Sequence, residues 1–190
     1  MARSAFLAQF FFSSQRRNAR PPFAIFQSHR SRDMSIWPQG NVLTVGEGDF
    51  SFSADLCDVW SRNASKSSTS SLKLLATSLD KESAMAYLFP ASTSHLQDIR
   101  AFSGENVRSR GQVEAVVAFG VDATNLAASS EVLNRAPFDV IRFNFPHVRG
   151  KSNIKYNRQL LQAFLKSAEP LLACPSTHEG REGVVQVRRC

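Results

Sequence analysis

Long hydrophobic runs are absent from this 190-residue chain. No stretch approaches the roughly 20 consecutive apolar residues that a membrane-spanning helix needs, and Phe10-Phe11-Phe12 is far too short, so a transmembrane segment and a membrane partner are not expected. Cysteine is scarce. Cys57, Cys174 and Cys190 form no C-x-x-C pair and have no histidine at ligand spacing; this excludes a disulfide framework and a zinc site and leaves metal out of the expected chemistry. Internal repeats are missing, which excludes a solenoid. Acidic residues are absent before Asp33 and again between Asp139 and Glu169.

What is present fits an ordinary soluble domain, with 43% apolar and 21% charged residues. The length suffices for one sizeable core. The net charge of +7 is unevenly spread. Six arginines (Arg3, Arg16, Arg17, Arg20, Arg30, Arg32) stand against Asp33 in residues 1–33, leaving 17 basic and 15 acidic side chains for the rest. Residues 1–33 are therefore expected to be an extension outside the fold. They are either a transit-type segment, for which an Arg-rich, acid-poor composition is typical, or a disordered tail, or a stretch upstream of a start at Met34. Residues 34–190 are expected to form the domain.

From Met34 onward apolar runs of strand length alternate with helical periodicity. Strands are expected at Asn41–Val45, Leu72–Leu79, Val113–Phe119, Phe138–Phe143 and Val184–Val187. Helices are expected at Phe50–Trp60, Lys81–Phe89, Leu96–Phe102 and Ile154–Ala173, with the serine-rich stretch Ser61–Ser71 as a loop. In the last helix Leu160, Leu161, Phe164, Leu165, Ala168, Leu171 and Leu172 recur on one face. This alternation implies βαβ units and a parallel sheet covered on both faces. Right-handed crossovers bring all strand C-terminal ends to one edge, where ligands bind in such folds.

Four polar features fall at that edge. Gly46-Glu47-Gly48-Asp49 follows the first strand, and Phe50 and Ser51 open the next helix. Glycine lets a ligand approach the backbone, and the helix start offers unpaired N–H groups. The third glycine of the nicotinamide fingerprint is replaced by Ser51. Acidic Glu47 and Asp49 repel a pyrophosphate and suit a cofactor with a cationic amino-acid part, such as S-adenosylmethionine. Asp80 ends the second strand, where it could accept ribose hydroxyls, although farther from the glycines than the usual spacing of about 20 residues, and could cap the Lys81 helix, two compatible roles. Asp122 follows the third strand, either for an adenine amino group or to cap a turn with Thr124 and Asn125. Asn144-Phe145-Pro146-His147 follows the fourth: Asn144 carries a donor and an acceptor for a base, Phe145 a stacking face, Pro146 a fixed turn, and His147 a possible general base. Arg142, Arg149, Lys151, Lys155, Arg158 and Lys166 accumulate beside this corner; they form either an RNA phosphate track, with Arg149, Lys151, Lys155 and Arg158 foremost, or a solvated face.

Val45 to Ser53 (VGEGDFSFS), Ala76 to Asp80, Val121 to Thr124, and Phe138 to His147, continued by Asn157, Leu160 and Leu161, together resemble the ribosomal RNA uridine-N3 methyltransferase family over roughly Asn41 to Leu172. The resemblance implies an α/β, Rossmann-like class I methyltransferase sheet with helices on both faces, S-adenosylmethionine as cofactor, large-subunit rRNA or a pre-ribosome as partner, and a uridine as acceptor. By the same resemblance Gly46 to Ser51 surround the methionine part, Asp80 the ribose, Asp122 the adenine, and Asn144 to His147 the target base. It implies a nucleolar or cytoplasmic location; the N-terminal extension points instead to a mitochondrion. Val148-Arg149-Gly150 only approximates the segment that follows this block in the family. Class I methyltransferases also continue past the fifth strand into two more, whereas this sequence ends at Cys190. The sheet is thus expected to be incomplete at its C-terminus, with Val184–Val187 as an exposed edge. Two other functions remain to be discriminated: a non-catalytic RNA-binding relative, and a nicotinamide-dependent oxidoreductase.

Overall fold

The computed structural model describes residues 40–63, 71–103, 113–148, 153–173 and 184–188. The N-terminal extension, Arg149, Lys151, Cys174 and Cys190 lie outside them.

Five strands, β1 (Gly40–Val45), β2 (Leu72–Ser78), β3 (Val113–Phe119), β4 (Val140–Asn144) and β5 (Val184–Arg188), pair in the order β3-β2-β1-β4-β5. Every pairing is parallel. A parallel sheet is buried on both faces, and neighbouring residues of one strand serve opposite cores. Val42, Leu72, Leu74 and Ala76 point to one face, where Phe50, Leu56 and Trp60 of the β1–β2 connection and Leu96 and Ile99 of the β2–β3 connection cover them. Leu43, Val45, Leu75, Ile141 and Phe143 point to the other, against Leu126, Val132, Phe164 and Ala168. The first face is covered by α1 (Ser51–Asn63), α2 (Glu82–Leu88) and α3 (Ser92–Arg100); the second by α4 (Ser130–Arg135) and α5 (Ile154–Ala168). This is the expected Rossmann-like α/β architecture. Cys57 is fully buried in the first core, where burial pushes its thiol up to about 12 and makes it an inert packing group.

The element boundaries differ from the expected ones for local reasons. Helix α1 runs on to Asn63, so Ser61 and Arg62 leave the expected loop, and Arg62 pairs with Asp58 one turn back. Helix α3 begins at Ser92, not Leu96. The last helix ends at Ala168 and tightens into a 3-10 turn over Glu169–Leu171, where Pro170 cannot donate an N–H to continue it. Phe138 makes an isolated bridge to Leu172 instead of starting β4. Helix α4 was not expected, because its sequence SEVLNR is too short and polar to show a period.

The chain visits β1, β2 and β3 in one direction, then crosses the sheet to place β4 on the far side of β1. The C-terminal ends of β1 and β4 therefore flank the point where strand order reverses, and a crevice opens there. At their opposite ends the two strands are locked together: the Asn41 backbone N–H donates to Asp139 Oδ2 at 2.7 Å, and the Asp139 N–H donates to the Asn41 carbonyl at 2.8 Å.

Candidate active site

At the end of β1 the chain turns through Gly46 at φ +68°. A Cβ at this position would collide with the Phe143 ring, which stands beside Val45 on the paired strand β4. Glycine is thus required by both the dihedral and the space. The Glu47 N–H then donates to the Thr77 carbonyl at 2.9 Å, tying the turn to β2. Asp49 Oδ1 accepts from the Ser51 N–H at 3.1 Å and its hydroxyl at 2.8 Å, which caps α1. From α3, His95 Nδ1 lies 2.8 Å from the Asp49 carbonyl oxygen, and since a carbonyl only accepts, Nδ1 carries the hydrogen.

A cavity of about 760 Å³ opens over this turn, within the range of small-molecule sites. It brings together Gly46, Glu47, Gly48, Asp49 and Ser51 from the first turn, Asp80 from the end of β2, Asp122 from the end of β3, and Asn144, Phe145 and His147 from the end of β4. These residues span about 100 positions of sequence and meet only because parallel strands end on one edge. Gly46 and Asn144 face the same space.

Three expected site residues stand elsewhere. The Phe50 side chain is fully buried in the α1-side core, edge-on to Phe119 at 5.8 Å; only its backbone, at φ +62°, belongs to the turn. Pro146 does not line the cavity but sits between two residues that do. Arg142 is not part of a phosphate track. Its Nε donates to Asn144 Oδ1 at 2.9 Å, its Nη1 donates to Gln186 Oε1 at 3.2 Å, and its guanidinium lies 4.3 Å from the centre of the Phe52 ring. Lys155 and Arg158 are exposed on the first turns of α5 and outside the cavity.

The structure also shows the local bonds of residues whose roles the sequence left open. Asp122 Oδ1 accepts from the Thr124 N–H and hydroxyl, each at 2.8 Å, so it caps that turn while lining the cavity. The N-cap of α2 is Lys81, not Asp80. His147 Nδ1 lies 2.8 Å from the Phe145 carbonyl oxygen, so Nδ1 is the protonated nitrogen and the neutral ring keeps an accepting lone pair on Nε2. Phe145 holds φ +54°, a costly conformation for an aromatic residue of the kind that clusters at functional sites.

Sequence reasoning missed several lining residues. Asp55 follows Ser51 by one helical turn, a spacing that was legible. Phe89 and Leu160 carried no such signal; they reach the cavity by tertiary packing, Phe89 lying 3.0 Å from where a Gly48 Cβ would stand.

Charge is the site's main electrostatic feature. Among the described residues, five carboxyl groups (Glu47, Asp49, Asp55, Asp80, Asp122) line the cavity and no lysine or arginine does. Glu47 is buried, and burial pushes its carboxyl up to about 7; nearby Asp49 adds to this, while bonds to the Ser53 side chain and backbone and to the Asn144 side chain oppose it.

Among known proteins, the human ferredoxin-fold anticodon-binding domain-containing protein 1 is 36% identical over 149 residues, covering 78% of this chain and 19% of that protein. Its mouse homologue is 34% identical over the same length. The Arabidopsis thaliana heavy metal-associated isoprenylated plant protein 41 is 30% identical over 137 residues, covering 69% of this chain and 23% of its own length. The chain thus spans about a fifth of the length of the curated relatives it matches. A family model described as rRNA (uridine-N3-)-methyltransferase BTM5-like matches residues 43–187, the whole stretch from β1 into β5. With the reversal-point cavity in place, that match settles the lineage: the chain belongs to the BMT5-like family of rRNA methyltransferases.

Proposed function

We propose that this domain transfers a methyl group from S-adenosylmethionine to N3 of a uridine in large-subunit rRNA. The observation that carries this reading is the acid-lined cavity shared by the Gly46 turn and the Asn144–His147 corner. A cationic donor fits five carboxyl groups, whereas the pyrophosphate of a nicotinamide cofactor would meet repulsion.

When bound, the cofactor supplies an electrophilic methyl on a sulfonium. Asp80 would hold the ribose hydroxyls, and Asp122 the adenine amino group through the oxygen not bonded to Thr124. Glu47 and Asp49 would face the cationic amino-acid part. Uridine N3 carries a proton on its pairing edge, so the base must leave its helix. Phe145 is exposed at the rim and stacks on it. His147 Nε2 would take the N3 proton, leaving the N3 electron pair for the methyl that the sulfonium would give up, its C–S bonding electrons returning to sulfur. Lys155 and Arg158, with Arg149 and Lys151, hold the flanking phosphates.

The test is incubation of the protein with labelled S-adenosylmethionine and unmodified large-subunit rRNA, followed by nucleoside analysis. The expected product is 3-methyluridine. Retained rRNA binding without any methyl transfer would assign the non-catalytic relative instead, and calorimetric binding of NAD in preference to S-adenosylmethionine would assign the oxidoreductase.

A further inference from the structure

The neighbours of Asn144 leave its amide one orientation. A guanidinium has only donors, so the atom facing Arg142 Nε at 2.9 Å is the amide oxygen. On the other side the Asn144 side chain bonds to the Glu47 carboxyl. An ionised carboxylate only accepts, so the amide nitrogen faces Glu47. Each neighbour enforces what the other requires.

Both neighbours are themselves held. Arg142 is tethered to Gln186 of β5 and stacked on Phe52 of α1. Glu47 takes bonds from the Ser53 hydroxyl and backbone. The Ser53 hydroxyl donates to Glu47, so in its 2.9 Å contact with Thr44 it accepts, and the chain runs Thr44 to Ser53 to Glu47 to Asn144. It crosses from β1 through the start of α1 to β4, over the point where cofactor and base would meet.

We infer that Arg142 and Glu47 are positioning residues that clamp the Asn144 amide with its second N–H available to the cavity, so that the site accepts a pyrimidine edge bearing a carbonyl oxygen and refuses one bearing an amino group. This rests on the uridine reading above and deepens it. Loss of the N3 proton spreads negative charge onto the neighbouring carbonyl oxygens, and an N–H donor beside one of them stabilises that anion. A flipped amide would present oxygen to oxygen. A cytidine amino group would present hydrogens to the clamped N–H.

The clamp is pH-dependent in a definite direction. Glu47 accepts from Asn144 as a carboxylate, a form that burial and Asp49 disfavour and Ser53 and Asn144 support, with Asp55 of α1 and Asp80 and Asp122 of the β2 and β3 ends adding negative charge around the cavity and Arg142 positive charge on the β4 side. The orientation is therefore firm above about pH 7 and weakens below it.

The experiment is nitrogen-15 NMR of the Asn144 side-chain amide in the full chain, assigned by its loss in Asn144→Asp, together with binding of two short single-stranded RNAs that differ only in a central U or C. In the unsubstituted protein the amide signals should shift with a midpoint near pH 7, and the U oligomer should bind about tenfold more tightly. Glu47→Gln should abolish the shift. Arg142→Leu should average the two amide hydrogens and reduce the preference to within about twofold, while Arg142→Gln, which keeps one N–H donor, should restore part of it; the Gln variant also serves if the Leu variant does not fold. An Asn144 signal unaffected by either Arg142 substitution would overturn the clamp. An intact clamp in a protein that binds both RNAs equally would leave the positioning in place and overturn the uridine reading.

Discussion

Gly46 and the Phe143 ring stand so close, on the paired ends of β1 and β4, that the site floor has no room for a single added methyl group. Phe143 cannot retreat, because it is itself packed edge-on against Phe164 of α5 at 5.0 Å. Gly46→Ala therefore meets both an unfavourable dihedral and a steric conflict. It should cost about 1–3 kcal/mol of stability and weaken S-adenosylmethionine binding at least about tenfold. Thermal melting and calorimetry read the two effects separately; a variant with wild-type affinity would remove the turn from the cofactor site.

Glu47 makes stability depend on pH. Its folded-state value is raised from 4.5 to about 7, so between these values the folded protein holds more protons than the unfolded chain. Stability is then highest below about 4.5 on this account and falls as pH rises through about 7, by on the order of 3 kcal/mol in total. Glu47→Gln should flatten that fall. Denaturant titrations at pH 5, 6, 7 and 8 check the slope, and a stability that rises across this window in the unsubstituted protein but not in the variant would reverse the sign.

In the proposed reaction His147 removes the N3 proton, with Nδ1 tied to the Phe145 carbonyl and Nε2 left to accept. His147→Ala should lower the turnover rate about 100-fold at neutral pH while cofactor affinity holds. Recovery at high pH, where N3 ionises in solution, would be the accompanying sign. Full activity of the variant at neutral pH would end the role.

Lys155 and Arg158 lie on an α5 face with no acid in its first three turns. Replacing either by Glu should weaken rRNA binding across all sequences alike. The slope of log affinity against log salt should shrink by about one for each neutralised phosphate contact. An unchanged slope would make this a solvated face.

Much of the fold was legible along the chain. The run NVLTV and the run LKLLATS are continuous in apolar character because both sheet faces are covered, and that pattern is local. The Gly46, Asp80, Asp122 and Asn144 positions were placed on one edge by the βαβ rule alone. Helix α4 and the 3-10 turn at Glu169 were not legible, since a few polar residues carry no period and their conformation is set by the strands they join. Phe50 shows the opposite case: a residue inside the site motif whose side chain belongs to the core, because the left-handed turn before α1 swings it away from the cavity.

Arg142 marks the boundary most clearly. As a basic residue in an acid-free stretch it read as a phosphate contact, but β-sheet register puts it opposite Thr44 and Gln186, where it turns to Asn144 and Phe52. The amino-acid order by itself determined the strands, the glycine turn and the family motif, all of which arise from neighbours within a few residues. Only the tertiary structure decided which carboxyl is buried, which way the asparagine amide is held, and that Gly46 and Asn144 share one cavity. Those depend on strand order and desolvation, which are properties of residues about 100 positions apart in the chain brought within bonding distance.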